Sequence, residues 1–326
     1  MNVLPLSTRV EIIAQLVEGI SLRAVSRTTE TNRATVGKLA LTVGQGCARL
    51  HDRLVRDVCP SALELDEIWT FITKKQARVR EIDPPEWGDQ YTFVGFATAS
   101  RLAVSYLVGK RTAASTVVFI NDLRRRVLGK PHISTDGFSA YRDAIEDAFG
   151  TQVAYGQAIK VYAREPEDEA QRRYSPMRVI GIEKRVVLGA ADPDTICTNH
   201  VERGNLTMRM GMRRFTRLTN AFSKRLPNLC AAVDLHFLHY NFCRIHQTLR
   251  VTPAMAEGLE TRVWSIEELV ERALDAAAEP EPTPPSSTSA PGTPPPPETP
   301  LIDLALDGRA VVRRGTVFRV IDGGAS

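Results

Sequence analysis

Three acids stand out by position. Asp66 lies inside an apolar run with Leu63, Leu65, Ile68 and Phe71, Asp136 ends the short run HISTD, and Glu202 heads the stretch NHVERGNLTMRMGMRRFTRLTNAFSKR, residues 199–225. A carboxylate within or ending a strand is expensive to bury unless it is paired or bound to a metal. Folded together, the three would make a site for Mg²⁺, which needs few carboxylates and takes its other ligands from water and phosphate. Two such ions, about 3.5–4 Å apart, activate an attacking oxygen and stabilise the leaving 3′ oxygen of a phosphodiester. Asp66 and Asp136 also have an ordinary reading, as edge acids or, for Asp136-Gly137, as a turn former. Glu67 competes with Asp66, and strand alternation puts the two on opposite faces, so only one is expected to meet Asp136.

After Glu202 come Arg203, Arg209, Arg213, Arg214, Arg217, Lys224 and Arg225, with Leu206, Met210, Arg213/Arg214 and Arg217 at helical spacing. This reads as one cationic helix with a single carboxylate at its head. A basic face is often just solvated. Yet such a cluster repels itself, and binding a polyanion relieves that repulsion by releasing condensed counterions. Arg203, Arg209, Arg213, Arg214 and Arg217 are therefore candidates to hold a DNA backbone over the metals.

Other elements must position these groups. Residues 8–50 read as three short helices: Val10, Ile13, Ala14 and Val17 stripe the first, Ser21 caps the second, and Asn32 caps the third. Arg33, Thr35 and Lys38 face outward near the start of the third, the layout of a helix-turn-helix whose second helix enters the major groove. A small bundle used for packing or dimerisation would look the same. From Leu63 the period changes to two, giving LELDEIWTFITKK, YTFVGFATA and LAVSYLV as three antiparallel strands. A helix over 112–128, the strand HISTDGF, a Ser139-capped helix and two further β-rich runs follow, and residues 226–249 predict one long helix. A short helix near 265–277 comes last.

Composition narrows the class. The 326 residues carry a net charge of only +4, so nucleic-acid binding must come from local patches. No apolar run reaches membrane-spanning length and the N-terminus is no signal peptide, which predicts a cytoplasmic protein. Five scattered cysteines with no C-x-x-C pair predict reduced thiols and no zinc site. His236, His239, Cys243 and His246 recur at helical spacing, a pattern more often a packed face than a metal stripe. No serine or tyrosine has the setting of a recombinase nucleophile, which leaves water and a DNA 3′-hydroxyl.

The runs DEIWTFITKKQ, STDGFSAYRDAIEDAFG, VERGNLTMRMGMRRFTRLTNAFSKR and HYNFCRIHQTLRVTPAMAEG closely resemble transposases of the insertion-sequence-one family, members of the bacterial DDE group, over roughly residues 60–270. The resemblance implies an α/β, RNase H-like mixed sheet flanked by helices and a catalytic, metal-binding triad of Asp66, Asp136 and Glu202. It implies Mg²⁺, with Mn²⁺ able to substitute, and places Arg209 near the terminal phosphates. The N-terminal helices would read the element's terminal inverted repeats. The protein would then cleave DNA 3′ ends and join them to target DNA, as a homo-oligomer associated with the nucleoid.

The expected organisation is a helix-turn-helix domain at 1–58, the catalytic domain at 59–250 and a helical extension at 251–278. A Pro-rich disordered linker at 279–300 and a tail at 301–326 with a hairpin around Arg313-Arg314-Gly315 complete it. Some family members carry a cysteine-rich zinc module ahead of the helix-turn-helix. Cys59 has no partner for one. Two alternatives remain open: a non-catalytic helix-turn-helix DNA-binding protein, either a regulator or an inactive transposase remnant, and an RNase H-like nuclease without a joining step.

Overall fold

Period-two patterning builds the centre of the molecule. The computed structural model describes residues 3–163, 179–216 and 219–280, and the backbone of 312–313 and 316–317. In strand β1 (Ala62–Ile72), Leu63 and Leu65 pack on one face while Ile68 and Ile72 pack on the other. Strand β2 (Gly88–Ala97) runs antiparallel to β1, with Val94 opposite Asp66, and β3 (Ala103–Gly109) runs antiparallel to β2. On the other side, β4 (His132–Thr135) and β5 (Ala154–Tyr162) are parallel to β1, and β6 (Val179–Leu188) returns antiparallel to β5. The order β6-β5-β4-β1-β2-β3 is the RNase H-like mixed sheet that was expected. Backbone pairing of β7 (Val312–Arg313) with β8 (Thr316–Val317) extends the β3 edge. The rest of the expected tail hairpin, the linker from 281 onward and Arg217 lie outside the described residues.

Helices bury both faces of the sheet. Helices α4 (Ala113–Arg124) and α5 (Ala140–Phe149) set Phe119, Ile120, Leu123, Tyr141 and Ile145 into the core that holds Leu63, Leu65 and Ile133. Helices α6 (Asn199–Gly211) and α7 (Leu226–Phe242) cover the other face, with Val201, Met208, Val233 and Phe237 in the core around Ile68, Val94 and Tyr106.

Three local expectations need correction. The cationic stretch is not one helix: it breaks at Met212 into a 3-10 turn, Arg213–Phe215. Phe215 is thereby buried in the core of that face, and the Thr70 hydroxyl donates to the Arg214 carbonyl at 2.9 Å, holding the turn on β1. The helix expected to reach residue 249 stops at Phe242, where the Cys243 and Arg244 amides both donate to the His239 carbonyl. Ser139 makes no side-chain cap; instead Asp136 Oδ1 accepts the Phe138 amide at 2.9 Å.

At the N-terminus, α1 (Leu6–Val17), α2 (Leu22–Thr28) and α3 (Arg33–Leu54) follow the predicted stripes. Ser21 and Asn32 cap α2 and α3 by accepting the Ala24 and Ala34 amides. The third helix is long rather than short, at 22 residues. Its first turns expose Arg33, Thr35 and Lys38. Its second half packs against α7 and against α9 (Ile266–Ala278), which follows the short α8 (Pro253–Ala256). Val43, Cys47 and Leu50 thus share a core with Leu63 and Leu65. Among the described residues no helix is long and apolar enough to cross a membrane.

Close approach of these helices depends on glycine. A Cβ at Gly46 would stand 1.7 Å from the Ala273 carbonyl oxygen, a backbone atom that cannot swing aside. Ala is ordinarily preferred to Gly in a helix by about 1 kcal/mol. Gly46→Ala should nevertheless destabilise the fold by about 1–3 kcal/mol through overpacking. Gly37→Ala in the same helix, where a Cβ meets nothing within 4 Å, should stabilise it slightly. Thermal melts of both variants check the opposite signs.

Candidate active site

The β1–β4 ladder ends at Leu65 and Thr135. One residue further, Asp66 continues along β1 while Asp136 leaves the end of β4, so the sheet opens beside Asp66 and Glu67. Carboxylate oxygens of Asp66, Glu67 and Asp136 all lie within 4.8 Å of one another. Here the expectation that only one of Asp66 and Glu67 meets Asp136 fails. The two do project from opposite faces: Asp66 accepts from Asn205 of α6 at 2.8 Å, and Glu67 accepts from Arg111, just ahead of α4, at 3.0 Å. Asp136, however, sits past the strand end, where side chains from either face can turn into the gap.

Electrostatics mark this as a site under strain. Burial, then the Glu67 charge, push the Asp66 pKa up to about 7, and Asp136 and Glu202 add to the rise. Glu67 is also raised, by burial first and then by Asp136, against the lowering effect of Tyr141 and Arg111. Its Oε1 is buried without a hydrogen bond of good geometry. Arg111 partly compensates the pair, reaching Asp136 Oδ2 at 3.4 Å and stacking on Phe138 at 3.9 Å. Burial opposes the charge on Arg111, yet Glu67 and Asp136 outweigh it and raise its pKa.

Glu202 joins from α6. It stands three residues before Asn205 and therefore on a neighbouring part of the same helix face, close enough to raise the Asp66 pKa. It is not one of the three clustered acids. Lys160 of β5 donates to Glu202 Oε1 at 2.6 Å and Thr198 donates to the same oxygen at 2.6 Å. Burial opposes the Lys160 charge, but the bond to Glu202 and its charge prevail and raise that pKa.

Oxygens this close suit a small dication. Mg–O bonds of about 2.0–2.1 Å put two ligands of one ion no more than about 4.2 Å apart, so small side-chain rotations would suffice. Two acids raised by burial and by neighbouring carboxylates, Asp66 and Glu67, with an oxygen lacking a good partner, are what a bound cation would relieve. Asp66, Asp136 and Glu67 could hold such an ion after those rotations. Glu202 could join once Lys160 lets go.

Glu64, two residues before Asp66 and on the same face, positions α6. Its Oε2 accepts the His200 and Val201 amides at 2.6 and 2.9 Å, and Cys197 Sγ lies 3.2 Å from Oε1. Neither Glu64 nor Asn205 was anticipated, though period two from Asp66 and the i, i+3 relation to Glu202 would have pointed to them. Arg111 and Lys160 carry no such signal.

The basic residues divide. Arg203 and Arg213 are exposed and Arg209 is half-buried. Arg214 is turned inward, donating to Ser223 Oγ at 2.6 Å, and burial lowers its pKa, which argues against its expected place on a DNA-facing surface. Of the expected His/Cys stripe, His236 and His239 lie on a packed part of α7, whereas the helix ends before Cys243 and His246 stands in the loop beyond it. Burial drives His236 down to about 3 and His239 down to about 4, and His236 lies edge-on to Phe237 and stacked over Tyr240.

No family model matches this chain, and no curated protein matches it. One similar solved structure is a piggyBac transposase synaptic complex with hairpin DNA, determined by cryo-electron microscopy. The likeness is 9% identical with a TM-score of 0.35, covering 83% of this chain and 70% of that chain. At that distance, function has to be argued from the site itself.

Proposed function

We propose that this chain is a DDE transposase, similar to the insertion-sequence-one family, that cleaves DNA 3′ ends and joins them to target DNA. The observation that carries the reading is the meeting of Asp66, on the central strand of an RNase H-like sheet, with Asp136, at the end of the adjacent parallel strand. Acids at that sheet position, with Glu202 close by on a helix across the same face, match the triad implied by the motifs. Asp66 and Asp136 would hold Mg²⁺ or Mn²⁺, with Glu202 completing the set after release by Lys160. When bound, a metal pair supplies Lewis-acid activation of water and stabilisation of the leaving oxygen.

The chain's own residues do the remaining work. Asn205 orients Asp66, Arg111 steadies Asp136, and Arg203, Arg209 and Arg213 supply positive charge for the DNA backbone. Arg33, Thr35 and Lys38, exposed at the start of α3, would read the element's ends in the major groove. Two ends brought together would need two active sites, hence a homo-oligomer on DNA.

The test is incubation of the purified chain with DNA carrying the inverted repeats that flank its reading frame, with Mg²⁺ and with EDTA. Metal-dependent 3′ nicks and joined products are expected. Metal-dependent cutting that never yields joined strands would select a nuclease, and binding without any breakage would select a non-catalytic DNA-binding protein. Glu202→Gln should lose cleavage by about 10²-fold or more, whereas Glu67→Gln should retain most of it. The reverse ranking would make Glu67, not Glu202, the third ligand.

A further inference from the structure

On the far side of α6 from Glu202 lies a cleft of about 290 Å³ that the catalytic reading leaves unused. His200, Arg203, Gly204 and Thr207 fall on one stripe of α6, roughly half a turn around the helix from Glu202. Arg101, from the β2–β3 turn, and Arg244 and His246, from the loop after α7, close the other walls. Three arginines thus converge on one cavity with no acid among its lining residues. The Arg101 guanidinium donates to the Thr98 carbonyl, a neutral partner, and among the described residues Arg203 and Arg244 form no ion pair.

The site is built rather than accidental. His246 Nδ1 is buried and lacks a hydrogen-bonding partner, and burial, then Arg101 and Arg244, hold its pKa down. His246 is anchored by its own amide, which donates to the Val251 carbonyl at 2.9 Å, and Arg250 takes φ +63° to close that loop. Gly204 lets Phe96 form the floor, since a Cβ there would stand 2.7 Å from the ring. Uncompensated arginines around an unsatisfied imidazole call for an anion with several acceptor oxygens, and guanidinium groups match phosphate geometry.

We propose that this cleft seats a backbone phosphate of the DNA strand that runs across α6 into the carboxylate site. The identity of the anion rests on the transposase reading. The exposed outer side of α6, with Leu206 and Met210, lies between cleft and acids. A helix with its side chains is about 10–12 Å across, a span that about three nucleotides cover at about 3.4 Å each. The cleft therefore fixes the register of the strand, a few nucleotides from the bond to be cut.

The test uses the full chain in EDTA, so that binding is read apart from catalysis. A fluorescein-labelled 12-nucleotide single strand is titrated by anisotropy at several salt concentrations. The Arg203→Gln/Arg244→Gln double variant should bind about tenfold or more weakly. Its log K against log salt slope should be shallower by about 0.7, the value for one lost phosphate contact on a single strand. Arg244→Lys, which keeps the charge, should recover part of the affinity, and unchanged circular dichroism would show that the variants fold. Inorganic phosphate is the second probe: if it binds the wild type in this cleft while the oligonucleotide binds the double variant as well as the wild type, the cleft serves a free anion and the proposal falls. Equal oligonucleotide affinity and equal slope in wild type and double variant also overturn it. If the cleft variants lose the oligonucleotide but the wild type never cuts DNA with Mg²⁺, the cleft stands and the transposase reading falls.

Discussion

Asp66→Asn should eliminate Mg²⁺-dependent strand cleavage and, at neutral pH, raise thermal stability. Both follow from one side chain held in a place that disfavours its charge. Burial and the neighbouring acids lift the Asp66 pKa from 3.8 to about 7. Between those values the native state holds a proton that the unfolded chain has released, so stability falls as pH rises through that window. At about 1.36 kcal/mol per unit the ceiling is about 4 kcal/mol, shared with Glu67, whose pKa is raised by burial and by Asp136. Asparagine stays neutral and keeps an acceptor for the Asn205 amide, so the variant should melt higher than wild type at pH 8. The difference should vanish at about pH 3 and below, where the wild-type side chain is largely protonated in both states.

Mg²⁺ should narrow that gap. A ligand that binds only the folded protein stabilises it by about 2.7 kcal/mol at a hundred times its Kd, and the variant has lost a ligand. Wild-type melting should therefore rise with Mg²⁺ and the variant's should not. Cleavage should drop on the order of 10³-fold or more, several kcal/mol of lost charge stabilisation, with oligonucleotide binding in EDTA preserved. An Asp66→Asn protein that still cuts DNA, or one that melts below wild type at pH 8 without metal, would remove the basis for placing the metal here.

How much of this could be read from the chain depended on whether the signal was local. Period two found β1, β2 and β3, because alternation of Leu63, Leu65 and Ile68 around Asp66 is visible within eleven residues. Helix caps at Ser21 and Asn32 were equally local. The arginine-rich stretch departs from one helix because its helical spacing comes from charged and exposed residues: Leu206 and Met210 point to solvent. Val201, Asn205 and Met208 make the true buried stripe, and Phe215 ends the helix by entering the core. Asp66 and Glu67 do project from opposite faces, yet both meet Asp136, because β4 stops at Thr135 and leaves a gap open to either face. Arg111 and Lys160 reach the acids only through the tertiary fold, across sheet edges that no window of sequence spans.

Glu64→Gln should disable the site although Glu64 itself is not a group that would hold metal or DNA. Glu64 is 1% exposed, and its carboxylate receives two backbone amides at the first turn of α6. Those amides are among the donors a helix start leaves unsatisfied, and the positive end of the helix favours a negative charge there. Burial and the Glu64 bond raise the Cys197 pKa, keeping that side chain a protonated thiol beside the carboxylate. Glutamine fits the same space but loses the charge and presents an NH₂ group where an acceptor is needed. Leaving one buried amide unpaired costs about 1–3 kcal/mol, and hydrogen bonds to a charged group contribute about 1.5–3 kcal/mol. A loss of about 3 kcal/mol in denaturant unfolding is expected. The same strand carries Asp66, so a shift of α6 moves Asn205 and Glu202 relative to it, and misplacement by about 1 Å can cost about 10²-fold in rate. The readout that separates positioning from mere destabilisation is Mg²⁺ affinity, measured well below the variant's melting temperature: it should weaken, while duplex binding through Arg33, Thr35 and Lys38 of α3 holds. A Glu64→Gln protein with wild-type Mg²⁺ affinity and cleavage would show that α6 keeps its place without this carboxylate, and that Glu202 is aligned by other contacts.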